Sequence, residues 1–174
     1  MPLAITQNPR EDFPFFKYSP DTVYLDSAAS NLVPEKVIQK EVEYLEKYPA
    51  NIARGLYPIA ERATIEYGNS RKKIADWINA TPNEIIFTSG TTESLNLLSF
   101  ALESLVTKES SIATTVLDHH SNFLPWLMLA RRSNASFRTL PISEDGEMQV
   151  ESLQKTIDRS TKIVAFPHVS NVTG

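Results

Sequence analysis

From Glu84 onward, short apolar runs alternate with segments whose apolar residues recur at helical spacing, and this alternation constrains the fold more than any other feature. Four runs read as strands: Glu84–Phe87, Ile112–Leu117, Phe137–Ile142 and Ile163–Pro167. Between them, Leu95, Leu98, Leu102 and Leu105 mark a helix from Thr91 to about Leu105. A mostly apolar helix follows Ser121, its expected N-cap, with Pro125 in the first turn and an end near Arg131–Arg132. Phe137 to Ile142 leads into the turn Glu144–Asp145–Gly146, and Val150, Leu153 and Ile157 mark a short helix. Strands that alternate with helices predict parallel pairing through right-handed crossovers, hence an α/β sheet covered on both faces. In such sheets ligands bind beyond the carboxyl ends of the strands.

Three loops would share that rim: Ser89 to Thr92, Asp118 to Asn122, and His168 to Asn171. The first is the small-residue junction of Ile85-Ile86-Phe87-Thr88-Ser89-Gly90-Thr91-Thr92-Glu93. Gly90 permits positive φ or close approach, and Ser89 or Thr91 can cap the exposed N–H groups. An ordinary capped turn explains these residues, and so does an anion site at a helix N-terminus. All three histidines, His119, His120 and His168, fall on the same rim. Metal binding would need a ligand spacing that the adjacent His119 and His120 do not supply. A serine nucleophile would need the G-x-S-x-G elbow, and Thr88-Ser89-Gly90 lacks it. A phosphorylated cofactor, with phosphate on the Gly90–Thr92 turn and an imidazole against an aromatic ring, uses every element of the rim. Local capping and packing of each histidine is the structural alternative.

Upstream, residues 1 to 22 set Phe13, Phe15, Phe16 and Tyr18 among prolines and polar residues, which suits an arm that docks its aromatics better than free disorder. Val23–Leu25 is a short strand candidate, Asp26 to Asn31 a turn, and Pro34 the start of a helix with Ile38, Val42, Leu45 and Tyr48 on its apolar face. Pro49 to Pro58 is a loop holding Asn51, Arg54 and Gly55. A long helix is expected from Ile59 to Asn79, with Ala60, Ala63, Tyr67, Ile74 and Ile78 on one stripe and Gly68 weakening its middle.

The 174 residues are 41% hydrophobic and 22% charged, ordinary for a soluble domain with one real core. A formal net charge of −4 argues against nucleic acid or an anionic membrane as partner. With no cysteine there is neither a disulfide framework nor a thiolate metal site. Met1 to Asp12 lacks the apolar core of a signal peptide, and Phe123 to Ala130 is too short for a membrane span. A soluble, cytoplasmic protein is expected.

Four motifs in order carry a family resemblance. They are Tyr24-Leu25-Asp26-Ser27-Ala28-Ala29-Ser30 with Arg54-Gly55; Ile86-Phe87-Thr88-Ser89-Gly90-Thr91-Thr92-Glu93; Asp118-His119-His120-Ser121-Asn122 with Pro125-Trp126; and His168-Val169-Ser170-Asn171-Val172-Thr173-Gly174. Together they resemble the fold-type-I pyridoxal-phosphate enzymes of the aminotransferase class V group, nearest the cysteine desulfurase and selenocysteine lyase branch. The resemblance covers the chain from about residue 22. It implies part of a PLP-dependent transferase (fold type I) large domain, an α/β unit with a mainly parallel sheet and flanking helices. Residues 1–55 would be an N-terminal arm and segment, and 56–174 the first part of the cofactor-binding large domain.

Carried over residue by residue, Thr91 and Thr92 would hold the phosphate of pyridoxal 5'-phosphate, His119 would stack on its ring, and Asn171 would hydrogen-bond its phenolic oxygen. Arg54 and Ala29 fall at substrate-binding positions for an amino acid. A homodimer is implied for the full-length form. Two positions depart from the branch: Ala53 stands where a histidine usually precedes Arg-Gly, and Asp118 where glutamate is usual. The family continues with an aspartate that pairs the pyridine nitrogen and a His-Lys pair whose lysine forms the Schiff base. No lysine here follows a histidine, Lys155 and Lys162 included, so the chain is expected to be an inactive N-terminal part. A non-catalytic α/β domain binding a phosphorylated ligand or a complementing chain is the alternative, and a self-contained small α/β enzyme a third reading. The resemblance also implies a strand order in which the last three strands pair as third, second, fourth. Glu84–Phe87 would lie on the far side, apart from them.

Overall fold

The computed structural model describes residues 8–148 and 150–174. The start of the expected aromatic arm, residues 1–7, and the side chain of Val150 as a helix marker lie outside the described residues. The chain divides into two compact units, Met1–Ile86 and Phe87–Gly174.

In the first unit, the Asn8 side chain accepts from the Arg10 amide and opens a 3-10 turn, Pro9–Asp12, ahead of helix α1, Phe15–Tyr18. The Arg10 guanidinium lies 3.8 Å from the centre of the Phe16 ring and donates to the carbonyls of Pro20 (2.7 Å) and Thr22 (3.2 Å). Phe15 meets Phe16 and Tyr24 edge-on, so these aromatics are gathered locally, whereas Tyr18 is 88% exposed. The expected strand Val23–Leu25 does not form: Val23 and Leu25 are exposed, and the segment belongs to no described sheet. Extended residues become a strand only when a neighbour completes the ladder.

Helix α2, Glu35–Lys47, follows Pro34, which is the N-cap and not a first-turn residue. Its expected apolar face is largely open, with Ile38, Val42 and Leu45 exposed, and only Tyr48 is buried beyond its end. Tyr48 and Ala50 form a small core with Ala60 and Ala63 of helix α3, Pro58–Trp77. Every buried residue of α3 is an alanine (Ala60, Ala63 and Ala75), so the helix packs by close backbone approach, while Ile74 and Ile78 of the expected stripe are exposed. The approach is tight enough that a Cβ on Gly55 would lie 2.2 Å from the Ala60 Cβ.

The expected strand Glu84–Phe87 also does not form. Pro82–Glu84 is a 3-10 turn closed by the Glu84 carboxylate, which accepts from the Thr81 amide (2.7 Å) and hydroxyl (2.8 Å). Ile85 is extended (φ −101, ψ 124), but the sheet has three strands and residues 85–87 are in none of them.

That sheet organises the second unit. Strands β1, Ser111–Thr115, β2, Ser136–Leu140, and β3, Thr161–Val164, are parallel in the order β2-β1-β3, as the resemblance implied for the second to fourth runs. β1 pairs with β2 from Ser111↔Ser136 to Thr115↔Leu140, and with β3 through a register shift between Ser111 and Ile112. All five β1 residues are buried, as a central strand requires. Helix α4, Thr91–Ala101, precedes the sheet, and two helices link its strands: α5, His120–Arg132, between β1 and β2, and α6, Val150–Thr156, between β2 and β3. The core joins Val106, Ile112, Trp126, Leu129 and Ala130, with Leu95 and Leu102 of the expected α4 face packed against it. Leu98, within the helix, is exposed, and so is Leu105, which lies past the helix end at Ala101 in a 3-10 turn, Glu103–Leu105. The expected turn at Glu144–Gly146 is present, with Gly146 at φ 82 inside an Ile142↔Met148 bridge. Among the described residues, no helix is long and apolar enough to cross a membrane.

Candidate functional site

The loop after β1 is wound by its own side chains. The Thr115 hydroxyl accepts from the Leu117 amide (2.8 Å), and the Asp118 amide donates to the Thr115 carbonyl (3.3 Å). Asp118 then turns back onto the strand, where one carboxylate oxygen accepts from the buried Thr114 hydroxyl (2.6 Å) and the Thr115 amide (3.2 Å). Its other oxygen accepts from the Asn122 side-chain amide (2.8 Å), and the Asn122 oxygen accepts from the Trp126 indole N–H (2.9 Å). Residues 118, 122 and 126 stand one helical turn apart, so one line of hydrogen bonds ties the strand end to α5 and its buried tryptophan.

His119 is the N-cap of α5, where Ser121 was expected. Its Nδ1 accepts from the Ser121 amide at 3.2 Å and lies 2.8 Å from the Ser121 hydroxyl. Two residues separate donor and acceptor, so the ring closes a short loop over the helix start and Ser121 moves inside the helix. Pro125 accordingly sits deeper than the first turn, buried within α5.

At the start of α4 the N-cap is Gly90, with φ 156 and ψ 179, a backbone that favours glycine, and no side chain caps the helix. Neither Ser89 nor Thr91 does the capping that the sequence suggested. Ser89 instead binds Glu93: its amide (2.6 Å) and hydroxyl (2.7 Å) both donate to one carboxylate oxygen. These bonds, the hydroxyl's foremost, hold the Glu93 carboxyl below its ordinary 4.5 and draw it back over the turn. The Thr88 hydroxyl pairs with Ser94 Oγ (2.7 Å) and donates to the Gly90 carbonyl (3.1 Å). The hydroxyls of Thr91 and Thr92 make no hydrogen bond among the described residues. A helix N-terminus that carries free hydroxyls and no cap is a donor cluster for an anion.

After β3, the Ser170 hydroxyl accepts from the amides of Val172 (3.2 Å) and Thr173 (3.3 Å), forming a turn that carries exposed Asn171. Thr91, His119 and Asn171, with Asp118, Asn122 and Trp126, line one open pocket of about 700 Å³, whose floor includes Val164 to Pro167 at the end of β3. Thr92 lines an adjoining space of about 360 Å³ that shares His119 and His120 with a third. His168 is exposed and is not among the residues lining the main pocket. Arg54 lies in a bend of the first unit beside Ala53, itself at φ 74, and Ala29 in the turn that closes on Asp26 through a 3.1 Å amide bond. Both are exposed.

The main pocket therefore joins the uncapped start of α4 at Thr91, the His119 imidazole and the Asn171 amide, a set that can take an anion at the helix end. The sequence reading missed Asn122 and Trp126 as partners of Asp118, although their four-residue spacing was a readable signal. It also missed Phe166 and Pro167, which no motif flags.

Residues 23–174 match the family described as Aminotransferase class-V. The chain belongs to the aminotransferase class V family. Within that family it is 38% identical over 172 residues to a probable cysteine desulfurase from Pyrococcus abyssi, which covers 99% of this chain and 42% of the relative. It is 40% identical over 153 residues to a probable cysteine desulfurase from Staphylococcus aureus, covering 87% and 37%. The structure superposes on the apo cysteine desulfurase from Thermococcus onnurineus NA1 with a TM-score of 0.89 and 35% identity, over 99% of this chain and 42% of that one. For the cysteine desulfurase CsdA from Escherichia coli the TM-score is 0.79 and the identity 34%, over 96% and 43%. The class V chain is thus desulfurase-like and part of a fold-type-I large domain, spanning about two fifths of the length of the relatives it matches.

Proposed function

We propose that this chain supplies the phosphate-binding and ring-contacting residues of a pyridoxal-phosphate site, in a cysteine desulfurase-like enzyme that acts on an amino acid. The observation that carries the reading is the uncapped, hydroxyl-bearing N-terminus of α4 opening on the same pocket as His119 and Asn171. Pyridoxal phosphate, when bound, supplies the electron sink that amino-acid bond cleavage needs. The chain's residues bind and orient. Thr91 and Thr92 hydroxyls and the adjacent N–H groups take the dianionic phosphate, favoured by the positive end of the helix dipole. The His119 ring, pinned through Nδ1, offers a flat face for stacking, and the Asn171 amide donates to the ring's phenolic oxygen. Arg54 and Ala29 are assigned to the amino-acid substrate, the guanidinium suiting a carboxylate.

On this reading residues 1–55 are the N-terminal arm and segment and 56–174 the first part of the cofactor-binding domain. The full-length protein works as a cytoplasmic homodimer without nucleic-acid or membrane partners, in keeping with the net charge of −4. These 174 residues alone are inactive, since no lysine among them follows a histidine as the covalent cofactor link requires. Ala53, in place of a histidine, leaves the choice among cysteine and other amino acids to be measured.

The test replaces both Thr91 and Thr92 with Val in a full-length enzyme that carries this segment. Each lost hydrogen bond to a charged group costs about 1.5–3 kcal/mol, so the double variant should shed cofactor on dialysis while its circular dichroism stays that of the parent. Retention equal to the parent's would reduce the turn to an ordinary helix start and overturn the assignment.

A further inference from the structure

The two hydrogen bonds on His119 Nδ1 carry more than a helix cap. A backbone N–H donates and never accepts, so the Ser121 amide at 3.2 Å requires a lone pair on Nδ1. The Ser121 hydroxyl, 2.8 Å from the same nitrogen, can add its own hydrogen to that lone pair. The neutral imidazole has one N–H, and with Nδ1 occupied as acceptor that proton must sit on Nε2. Nε2 has no partner among the described residues. The ring stands at the pocket shared with Thr91 and Asn171.

We propose that Ser121 is a positioning residue that locks His119 in the tautomer protonated on Nε2, so that the imidazole meets an amino-acid substrate as a hydrogen-bond donor and not as a base. The lock is local: donor and acceptor are two residues apart, and the helix start that holds them is tied down by the Asp118–Asn122–Trp126 line. The substrate group that benefits is one gaining negative charge beside the ring, a thiolate or a carboxylate, which a fixed donor stabilises without reorganisation. This role rests on the cofactor-site reading above, whereas the tautomer stands without it.

The experiment needs no cofactor. The chain is labelled with 15N-histidine and 15N backbone, and the imidazole spectrum is recorded near pH 8, where ordinary histidines are neutral. Only three histidines are present, and His120→Gln and His168→Gln assign them. His119 should show Nδ1 as the unprotonated nitrogen and Nε2 as the protonated one. The Nε2-H form should exceed the other by about tenfold or more, about 1.4 kcal/mol per factor of ten. A scalar coupling should also run from the Ser121 amide nitrogen to Nδ1 through the hydrogen bond. Ser121→Ala keeps the backbone donor and should keep the tautomer. Ser121→Pro removes that donor and should return the ring to a mixture.

A proton on Nδ1 overturns the proposal, and so does an averaged ring in the folded parent. If the proline variant does not fold, the parent alone decides: absence of the amide-to-imidazole coupling sinks the lock. A chain with the locked tautomer whose full-length form keeps cofactor after Thr91 and Thr92 are replaced would separate the two readings, retaining the tautomer and removing the phosphate assignment together with the substrate role that rests on it.

Discussion

Glu93 shows how one side chain can serve a helix end without closing it. A glutamate in the first turn could have bent onto the free N–H groups of its own helix and occupied the anion site itself. Instead its carboxylate reaches back one turn to the Ser89 amide and hydroxyl, leaving Thr91 and Thr92 open. Both bonds favour the ionised form, so the folded chain holds this carboxyl below the 4.5 of the unfolded one. A group with a depressed folded value stabilises the fold above its unfolded value and loses that contribution as pH falls through the folded value. Glu93→Gln should therefore flatten the decline in stability below about pH 4.5 and leave the neutral-pH fold in place. Urea midpoints measured from pH 7 down to pH 3 check this, and parallel acid slopes for the two proteins would show that the bonds to Ser89 are not made in solution. The same residue explains a misreading. Ser89 is a good N-cap by type, but a strong acceptor four residues on claimed its donors first.

At the level of elements, α5 is fastened to the sheet by polar atoms as well as by its apolar side. Trp126 is 4% exposed and packs with Ile112 and Leu129, yet its indole N–H still needs a partner, and Asn122 provides one. Asn122 is held by Asp118, and Asp118 by the buried Thr114 hydroxyl at the end of β1. Asp118→Ala would strand the Thr114 hydroxyl and the Asn122 amide together. The Thr114 hydroxyl is fully buried, so leaving it without an acceptor costs about 1–3 kcal/mol, and the half-buried Asn122 amide adds less. Trp126→Phe breaks the last bond of the line, a loss of about 0.5–1.5 kcal/mol, and keeps one ring in the core while emptying the space of the larger indole. Denaturant titration of the two variants should rank Asp118→Ala as clearly the more damaging, and the reverse order would mean that the tryptophan's packing, not the polar line, anchors the helix. The spacing 118, 122, 126 was visible in the sequence. That these residues bond one another was not, because the same spacing on a helix describes any three neighbours on one face.

For the molecule as a whole, order is concentrated at β1. Its five residues are fully buried between two parallel neighbours, whereas β3 alternates half-buried and exposed positions and Val164 and Phe166 remain accessible. Residues 85–87 are in none of the strands, and Ile86 is 72% exposed. Amide hydrogen exchange follows local opening, which is least where backbone bonds and burial coincide. Protection should peak at Ile112 to Thr115 and be much weaker at Ile85 to Phe87. Uniform strong protection across both segments in a monomer would contradict this distribution.

What the sequence determined by itself was local or periodic. The helical repeat located α3, α4 and α5 to within a few residues. The alternation of strand and helix implied a parallel sheet, and the order of four short motifs identified the family that the comparisons then established. These are readable because period and turn chemistry depend on residues close in the chain. The tertiary structure decided which periodic positions are buried. Ile74, Leu98 and Leu105 carry the right spacing and lie exposed, while Ala75 and Ser99 are buried. It also decided which extended segments become strands, since Val23–Leu25 and Glu84–Phe87 have strand composition and join no described sheet. And it decided the helix caps, where His119 displaced Ser121 and Glu93 diverted Ser89. Burial, ladders and hydrogen-bond choice are each settled by competition among partners brought together in space. A sequence names the competitors without placing them.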